Sequence, residues 1–128
     1  MLQSITKQIR VDVKNWYNGD ASEPELDFFV HAYQITISNQ SDEPIKLMRR
    51  HWFIFDSCGR QHQVQGEGVV GEQPVLEPGE SFTYVSGCHL QSPVGAMHGF
   101  YHFQRLIDSM EFQVRIPHFV LSFPPVLN

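Results

Sequence analysis

Apolar and polar residues alternate with a period of two along most of this chain, which is the pattern of half-buried β-strands. Residues 7–13 predict a first strand, and residues 28–38 predict a second one after a polar loop over 15–24. Residues 60–65 are polar on both faces except for Val64, which is typical of a strand at the edge of a sheet. The remaining predicted strands start near Phe82 or lie within 45–55, 100–106, 112–116 and 119–123.

The segment 45–55 changes the parity of its apolar positions partway along. Leu47 belongs to one alternating set, whereas Trp52 belongs to the other. In a regular strand such a change would turn a core residue toward solvent, so one extra residue is needed for both apolar sets to point into the core. We therefore predict a β-bulge near Arg49-Arg50-His51.

Turn residues separate these segments at intervals of about 8–12 residues, and no segment has the period of a helix. Ser57-Cys58-Gly59 predicts a tight turn, and residues 86–99, rich in Gly, Ser and Pro, predict a second long loop. Pro124-Pro125 is expected to end the last strand. About seven or eight strands without a helix predict an all-β antiparallel sandwich that forms one domain over residues 1–128.

Composition narrows the classes of partner. The 128 residues carry 14 acidic and 9 basic side chains, for a net charge of −5, and such a surface repels nucleic-acid backbones. The first 15 residues contain no apolar core of a signal peptide, and no apolar run approaches the roughly 20 residues of a membrane span. We therefore expect no nucleic acid, no membrane and a cytoplasmic location, where Cys58 and Cys88 would be free thiols.

A glycine-rich segment at 66–74 has the spacing of a dinucleotide-binding turn, carried by Gly66, Gly68 and Gly71. Such a turn must open a helix, since the pyrophosphate binds at the helix N-terminus, but Pro74 and Pro78 follow at once. We predict instead a loop between strands, exposed at one side of the sandwich. The loop shapes a crossing between sheets, contacts a protein through Val69 and Val70, or binds an anion with its backbone amides.

Arg49-Arg50-His51 is the one basic cluster of the sequence. On a strand, Arg49 and His51 share a face while Arg50 points to the other. The cluster is a candidate to supply positive charge to an anion held by the glycine loop. The alternative is that Trp52 belongs to the core and the arginines pair with surface carboxylates.

Histidine and cysteine positions predict neither a metal site nor catalysis. On a strand, the i, i+4 spacing of His98 and His102 separates the two side chains by roughly 13 Å, too far for two ligands of one ion. Cys88-His89 are adjacent, and adjacent side chains seldom face each other as a nucleophile and base do. We expect no enzymatic activity, no catalytic residue and no cofactor.

Six ordered motifs resemble the bacterial stand-alone ApaG family from about Thr6 to Leu121. The motifs are Arg50-His51-Trp52, Gly66 to Leu76, Pro78 to Phe82, Tyr84 to Cys88, Gly95 to Tyr101 and Ile116 to Leu121. The resemblance implies a fibronectin type III-like, immunoglobulin-like sandwich without an established enzymatic activity. It also implies a protein-interaction role, inferred for related domains in an F-box ubiquitin-ligase subunit and a DNA-polymerase-interacting protein. A genetic link to cobalt and magnesium homeostasis is known for bacterial members.

The leading functional hypothesis is a non-catalytic module that binds a protein partner. Its alternative is a binder of phosphate, pyrophosphate or nucleotide through residues 66–71. The unpaired backbone groups expected along residues 60–65 predict strand addition by a partner, or a monomer that associates weakly into a homodimer.

Overall fold

The computed structural model describes residues 2–123, which form two antiparallel β-sheets packed face to face. Within these residues there are nine strands and two short 3₁₀ turns but no α-helix, so the predicted all-β antiparallel sandwich is confirmed. The predicted stop at Pro124-Pro125 lies outside the described residues. The strands are β1 (Leu2–Thr6), β2 (Ile9–Tyr17), β3 (Phe29–Asn39), β4 (Ile45–Asp56), β5 (Arg60–Glu67), β6 (Val75–Leu76), β7 (Ser81–Leu90), β8 (Val94–Arg105) and β9 (Glu111–Ser122).

The two sheets meet differently on the two sides of the sandwich. One sheet has the order β1-β2-β3-β7 and the other β5-β4-β8-β9, with the short β6 also pairing with β4. Strands β1 and β9 lie against each other on one side, which we call the closed side. The edge strands β5 and β7 face each other across a cleft on the other side, which we call the open side.

The core lies between the sheets and follows from the alternation in the sequence. In β3 every second residue from Phe29 to Asn39 is buried, and the facing strands supply large apolar side chains from the opposite sheet. Ile35, Phe103 and Leu121 are among the side chains with almost no solvent exposure.

The predicted bulge is confirmed and lies at Met48. In the pairing of β4 with β8, Leu47 lies opposite Phe103 and Arg49 lies opposite His102, so Met48 is the extra residue. The bulge keeps Leu47 and Trp52 both in the core although their sequence parity differs.

The first strand was predicted incompletely. Lys7 and Gln8, predicted within it, form a turn in which both residues have positive φ. This turn connects β2 to an additional strand, β1, which the alternation did not predict because its side chains are mostly exposed. The polar loop is also shorter than predicted, since β2 continues to Tyr17.

The prediction of a long loop over residues 86–99 is wrong. Strand β7 continues to Leu90 and β8 begins at Val94, so only three residues connect them. The glycines of this segment permit close approach of neighbouring strands instead of forming turns. A Cβ at Gly95 would collide with the carbonyl oxygen of Phe55, and one at Gly99 with that of His51.

Candidate functional site

The glycine-rich segment is a loop between strands, as predicted, and it folds as a small hairpin. The Val69 amide donates to the Glu72 carbonyl (2.8 Å) and the Glu72 amide donates back to the Val69 carbonyl (2.9 Å). The Gly68 amide donates to the carbonyl of the bulge residue Met48 (2.9 Å). An anion bound by these three amides would have to displace native hydrogen bonds.

The prediction that Val69 and Val70 both lie at an apolar tip is wrong for Val69. Val69 pairs with Glu72 across a two-residue turn, and its side chain is fully buried in the core. Val70 is the exposed residue, with 52% of its surface accessible. It has a φ of 44°, which is unusual for a β-branched residue, and Gly71 follows with a φ of 80°.

Two glycines of the loop have close contacts, one with backbone and one with the end of a flexible side chain. A Cβ at Gly68, whose φ is +60°, would overlap the Glu72 carbonyl oxygen. A Cβ at Gly66 would lie 2.8 Å from both terminal nitrogens of Arg50. The Arg50 guanidinium therefore lies directly over Gly66 and reaches the edge strand β5.

The basic cluster is divided between two faces, as the alternation predicts. Arg49 lies on the outer face, where its Nη2 is 3.6 Å from a Glu111 carboxylate oxygen. His51 is on the same face, with Nε2 2.8 Å from Gln63 Oε1 and its ring stacked on Phe53. Arg50 points inward to the open side.

Arg50 holds the glycine loop by its carbonyl groups, not its amides. Its Nη1 donates to the carbonyls of Glu67 and Gly68, each at 3.0 Å. Among residues 2–123, Arg50 takes part in no ion pair, and its Nη2 and Nε donate no hydrogen bond. Half of the guanidinium fork is thus available to another acceptor.

The cleft of the open side consists of two adjoining depressions of about 260 and 180 Å³. Tyr33, Arg50, Trp52 and Ser86 line both of them. The larger depression continues between the two edge strands, and the smaller one continues under the glycine loop toward Tyr84. We call the whole the inter-sheet cleft. Arg50 is the one Lys or Arg side chain that lines it, and no Asp or Glu of the described chain does so.

Hydroxyl groups surround Arg50 on the floor of this cleft. The Tyr84 and Tyr101 hydroxyls are 2.6 Å apart, and burial raises the pKa of both groups. Burial also raises the pKa of Tyr33, while the Ser86 hydroxyl and the Arg50 charge oppose this increase. These tyrosines are therefore neutral donors near neutral pH, and the fixed charge among them is positive.

The sequence offers Arg50 and the glycines as candidates but does not indicate Tyr33, Trp52, Tyr84 and Ser86 as neighbours of that arginine. Each of them occupies a regular strand position, so no local signal distinguishes it. Their proximity follows only from how the two sheets pack.

The other sites weighed in the sequence do not assemble in the described chain. Burial, followed by the charge of Asp56, raises the pKa of Cys88 to about 11, which makes its thiolate scarce. His89 packs its ring against Phe28. Within residues 2–123, no three His, Cys, Asp or Glu side chains are grouped so that they could hold a metal ion.

Both cysteines, Cys58 and Cys88, are free thiols in the structure. Across residues 2–123, no helix has the length and apolar character needed to cross a membrane.

Comparison with known proteins gives consistent results over nearly the full chain. The sequence profile of the ApaG domain family matches residues 19–105. Protein ApaG of Mesorhizobium japonicum is 45% identical over 124 residues, covering 97% of this chain and 95% of that protein. Protein ApaG of Pectobacterium atrosepticum is 42% identical, with 94% and 96% covered. The crystal structure of the putative ApaA protein from Bordetella pertussis superposes with a TM-score of 0.88 at 40% identity, covering 92% of this chain and 95% of that one.

Proposed function

This chain belongs to the ApaG domain family, and from its free sheet edge we infer that it is a non-catalytic binding module that docks a protein partner on the open side. The observation that carries the proposal is strand β5. It pairs with β4 on one side only, and all of its residues except Gly66 are exposed. Its other edge offers backbone N–H and C=O groups to an added strand.

The composition of β5 supports strand addition. Arg60 and Glu67, at its two ends, are its charged residues apart from histidine, so the middle of the strand lacks the lysines and prolines that commonly prevent edge pairing. The exposed Val70 adds an apolar contact at the end of the same side. It is held at a positive φ that costs about 1–2 kcal/mol for a residue with a Cβ. Strain retained at an exposed position is common at binding sites.

The alternative, a phosphate or nucleotide bound by the glycine loop, receives less support. The amides of Gly68, Val69 and Glu72 already have backbone acceptors. Glu67 and Glu72 flank the same loop and would repel a polyphosphate. The family's link to cobalt and magnesium has no counterpart in a grouped set of ligands within residues 2–123. We propose a protein partner, with no cofactor, as the better explanation.

We further propose that the module acts in the cytoplasm, as a monomer or weak homodimer. Reduced thiols at Cys58 and Cys88 are consistent with that compartment. A second copy that adds its own β5 would use the same edge as the partner, so self-association and partner binding would compete.

Affinity capture from a lysate, followed by mass spectrometry, tests the proposal with two variants. Val70→Asp places a charge at the exposed end of the open side, while Val120→Asp is the matched control on β9, where the exposure of 55% is similar to the 52% of Val70. We expect proteins captured by the wild type to be lost with Val70→Asp and retained with Val120→Asp.

Proline substitution tests the edge itself. Consecutive residues of a strand direct their N–H groups to opposite sides, so of Gln63→Pro and Val64→Pro one removes an outward N–H and leaves the ladder with β4 intact. The variant that unfolds at nearly the wild-type temperature is the informative one, and it should lose the captured partners. If that variant and Val70→Asp both capture the same proteins as the wild type, the open side is not the docking surface.

A further inference from the structure

We propose that the inter-sheet cleft selects its partner by a carboxylate: the docked segment is an extended peptide whose Asp or Glu side chain pairs with Arg50. This inference rests on the proposed function, because it assumes that the peptide adds to the free edge of β5. It goes further by stating the chemistry of the partner.

The register of β4 and β5 determines which side chains an added strand would meet. Arg50 lies opposite Gly66, and Trp52 lies opposite Val64. Because these cross-strand pairs share the inner face, a peptide residue beside Gly66 and one beside Val64 would both point into the cleft. The added strand would lie about 4.8 Å beyond β5.

Gly66 gives Arg50 access to that added strand. The guanidinium lies over Gly66 in the space that a side chain would fill, at 2.8 Å from the position of a Cβ. It therefore covers the inner face of β5 at Gly66, and its Nη1 reaches the carbonyl of the next residue of that strand, Glu67. Any residue larger than glycine here would push the arginine out of this position.

The free half of Arg50 fits a carboxylate better than a neutral group. Nη1 is already fixed by the carbonyls of Glu67 and Gly68, so the fork is held in place before a ligand arrives. Nη2 and Nε form the pair of parallel donors that binds a carboxylate with both oxygens. The cleft presents no Asp or Glu of the described residues to compete, although the whole chain has a net charge of −5.

The second inner position favours an apolar residue. Val64 is 36% exposed at the rim of the cleft, and the Trp52 ring lies behind it. A peptide side chain at this position would cover apolar surface that is now open to water. The preferred segment therefore carries an acidic residue and an apolar residue two positions apart, both on the same face of a strand.

A random heptapeptide display library, selected on the immobilised full chain, tests this preference. The wild type should enrich peptides with Asp or Glu two positions from an apolar residue. Synthetic peptides of the enriched class should bind Arg50→Gln at least about tenfold more weakly, because hydrogen bonds to a charged group are lost. Arg49→Gln is the matched control, since Arg49 lies on the outer face beside Glu111, and it should bind as the wild type does.

A second pair of variants leaves the contact between Arg50 and the loop intact. Val64→Glu introduces a carboxylate on the same face of β5 as Gly66, where it can pair with Arg50 and occupy the proposed acceptor position. Val64→Gln has the same length without the charge. We expect the acidic peptides to lose binding to Val64→Glu by about tenfold relative to Val64→Gln.

The outcomes separate this inference from the proposed function. Peptides that depend on the β5 edge but show no acidic preference, or that bind Arg50→Gln and Val64→Glu as well as their controls, overturn the carboxylate inference alone. If no peptide depends on the β5 edge, shown by equal binding to the folded proline variant, docking on this edge is wrong as well.

Discussion

The closed and open sides of the sandwich differ in how the edges of the two sheets meet. On the closed side, side chains bond directly across the sheets: Ser4 Oγ donates to the Arg115 carbonyl (2.7 Å), and Asn15 Nδ2 donates to the Val120 carbonyl (2.9 Å). On the open side, no hydrogen bond joins β5 to β7 among the described residues. Arg50, Tyr33 and Tyr84 line the space between the sheets there, which forms the cleft.

The polar groups of the open side indicate an organised cleft rather than a packing defect. Its walls contain polar groups with specific partners, including the Tyr84–Tyr101 pair and the bonds from Arg50 to the glycine loop. Maintaining an opening beside a core requires such partners, since a buried polar group without one is costly.

The largest expected effect comes from the glycine loop that bounds the cleft. Gly68→Ala should lower the free energy of unfolding by about 2–5 kcal/mol, because it combines a positive φ with a collision against the Glu72 carbonyl. Gly71→Ala is the matched control: its φ is also positive, but a Cβ there meets nothing within 4 Å, so the loss should be about 1–2 kcal/mol. Urea denaturation of both variants measures the difference, and equal losses would show that the close contact does not matter.

Tyr84→Phe and Tyr101→Phe should lower stability by different amounts, because one hydroxyl lies beside the cleft and the other in the core. Tyr84→Phe leaves the fully buried Tyr101 hydroxyl without its partner, whereas Tyr101→Phe leaves the Tyr84 hydroxyl beside the cleft, where water can reach it. We expect Tyr84→Phe to cost about 1–3 kcal/mol and Tyr101→Phe less. Chemical denaturation of the two variants and of the double variant measures this, and the double variant should recover part of the loss. The reverse order would show that the cleft is dry at Tyr84.

The buried His31, on β3 beside the open-side strand β7, should make the fold sensitive to acid. Burial lowers the pKa of His31 below 6.5, so the unfolded chain binds the proton more readily than the folded one. The free energy of unfolding therefore keeps its full value above about pH 6.5. It falls as the pH drops below 6.5, by at most about 1.4 kcal/mol per pH unit for one proton. Burial and Arg49 lower the pKa of His102 in the same direction.

Thermal unfolding between pH 8 and pH 5 measures this slope. His31→Leu should make thermal stability depend less on pH, whatever its effect on absolute stability. His102→Leu should remove only the part of the pH dependence that is not due to His31. An unchanged slope in His31→Leu would contradict the assignment.

The smallest expected effect compares one amide side chain from each side. Asn15→Ala removes a hydrogen bond across the closed side and should cost about 0.5–1.5 kcal/mol. Gln65→Ala, on the exposed edge strand β5, should stay within about 0.5 kcal/mol of the wild type. Chemical denaturation again gives both values. A loss at Gln65 as large as that at Asn15 would mean that the open side contributes to stability in the same way.

The sequence predicted the sandwich and the bulge because both depend on the alternation of buried positions, which can be read along each strand of the sequence. It failed where a residue type has two structural uses. Glycines at 95 and 99 allow strands to approach closely, yet in the sequence they resemble turn residues. Conversely, the turn at Lys7 and Gln8 contains neither Gly nor Asn, so no turn signal separates β1 from β2.

The candidate site was predictable only in part for a similar reason. That Arg50 points inward follows from the alternation within its own strand. The burial of Val69 does not, because it depends on a two-residue turn whose first central residue, Val70, adopts a φ that is rare for its type. The neighbours of Arg50 in the cleft come from β3 and β7 of the other sheet, and no pattern along one strand reports a contact between sheets.

The bulge at Met48 has a consequence for changes in the length of the chain. Because Met48 is the extra residue, deleting it would make the alternation of β4 regular and leave Arg50 and Trp52 facing inward. Such a deletion would nevertheless remove the carbonyl that accepts both the Gly68 amide and the Gln73 side chain, each at 2.9 Å. A one-residue deletion here would thus preserve the core and remove two of the hydrogen bonds that hold the glycine loop, whereas an insertion or deletion elsewhere in β4 would turn core side chains outward.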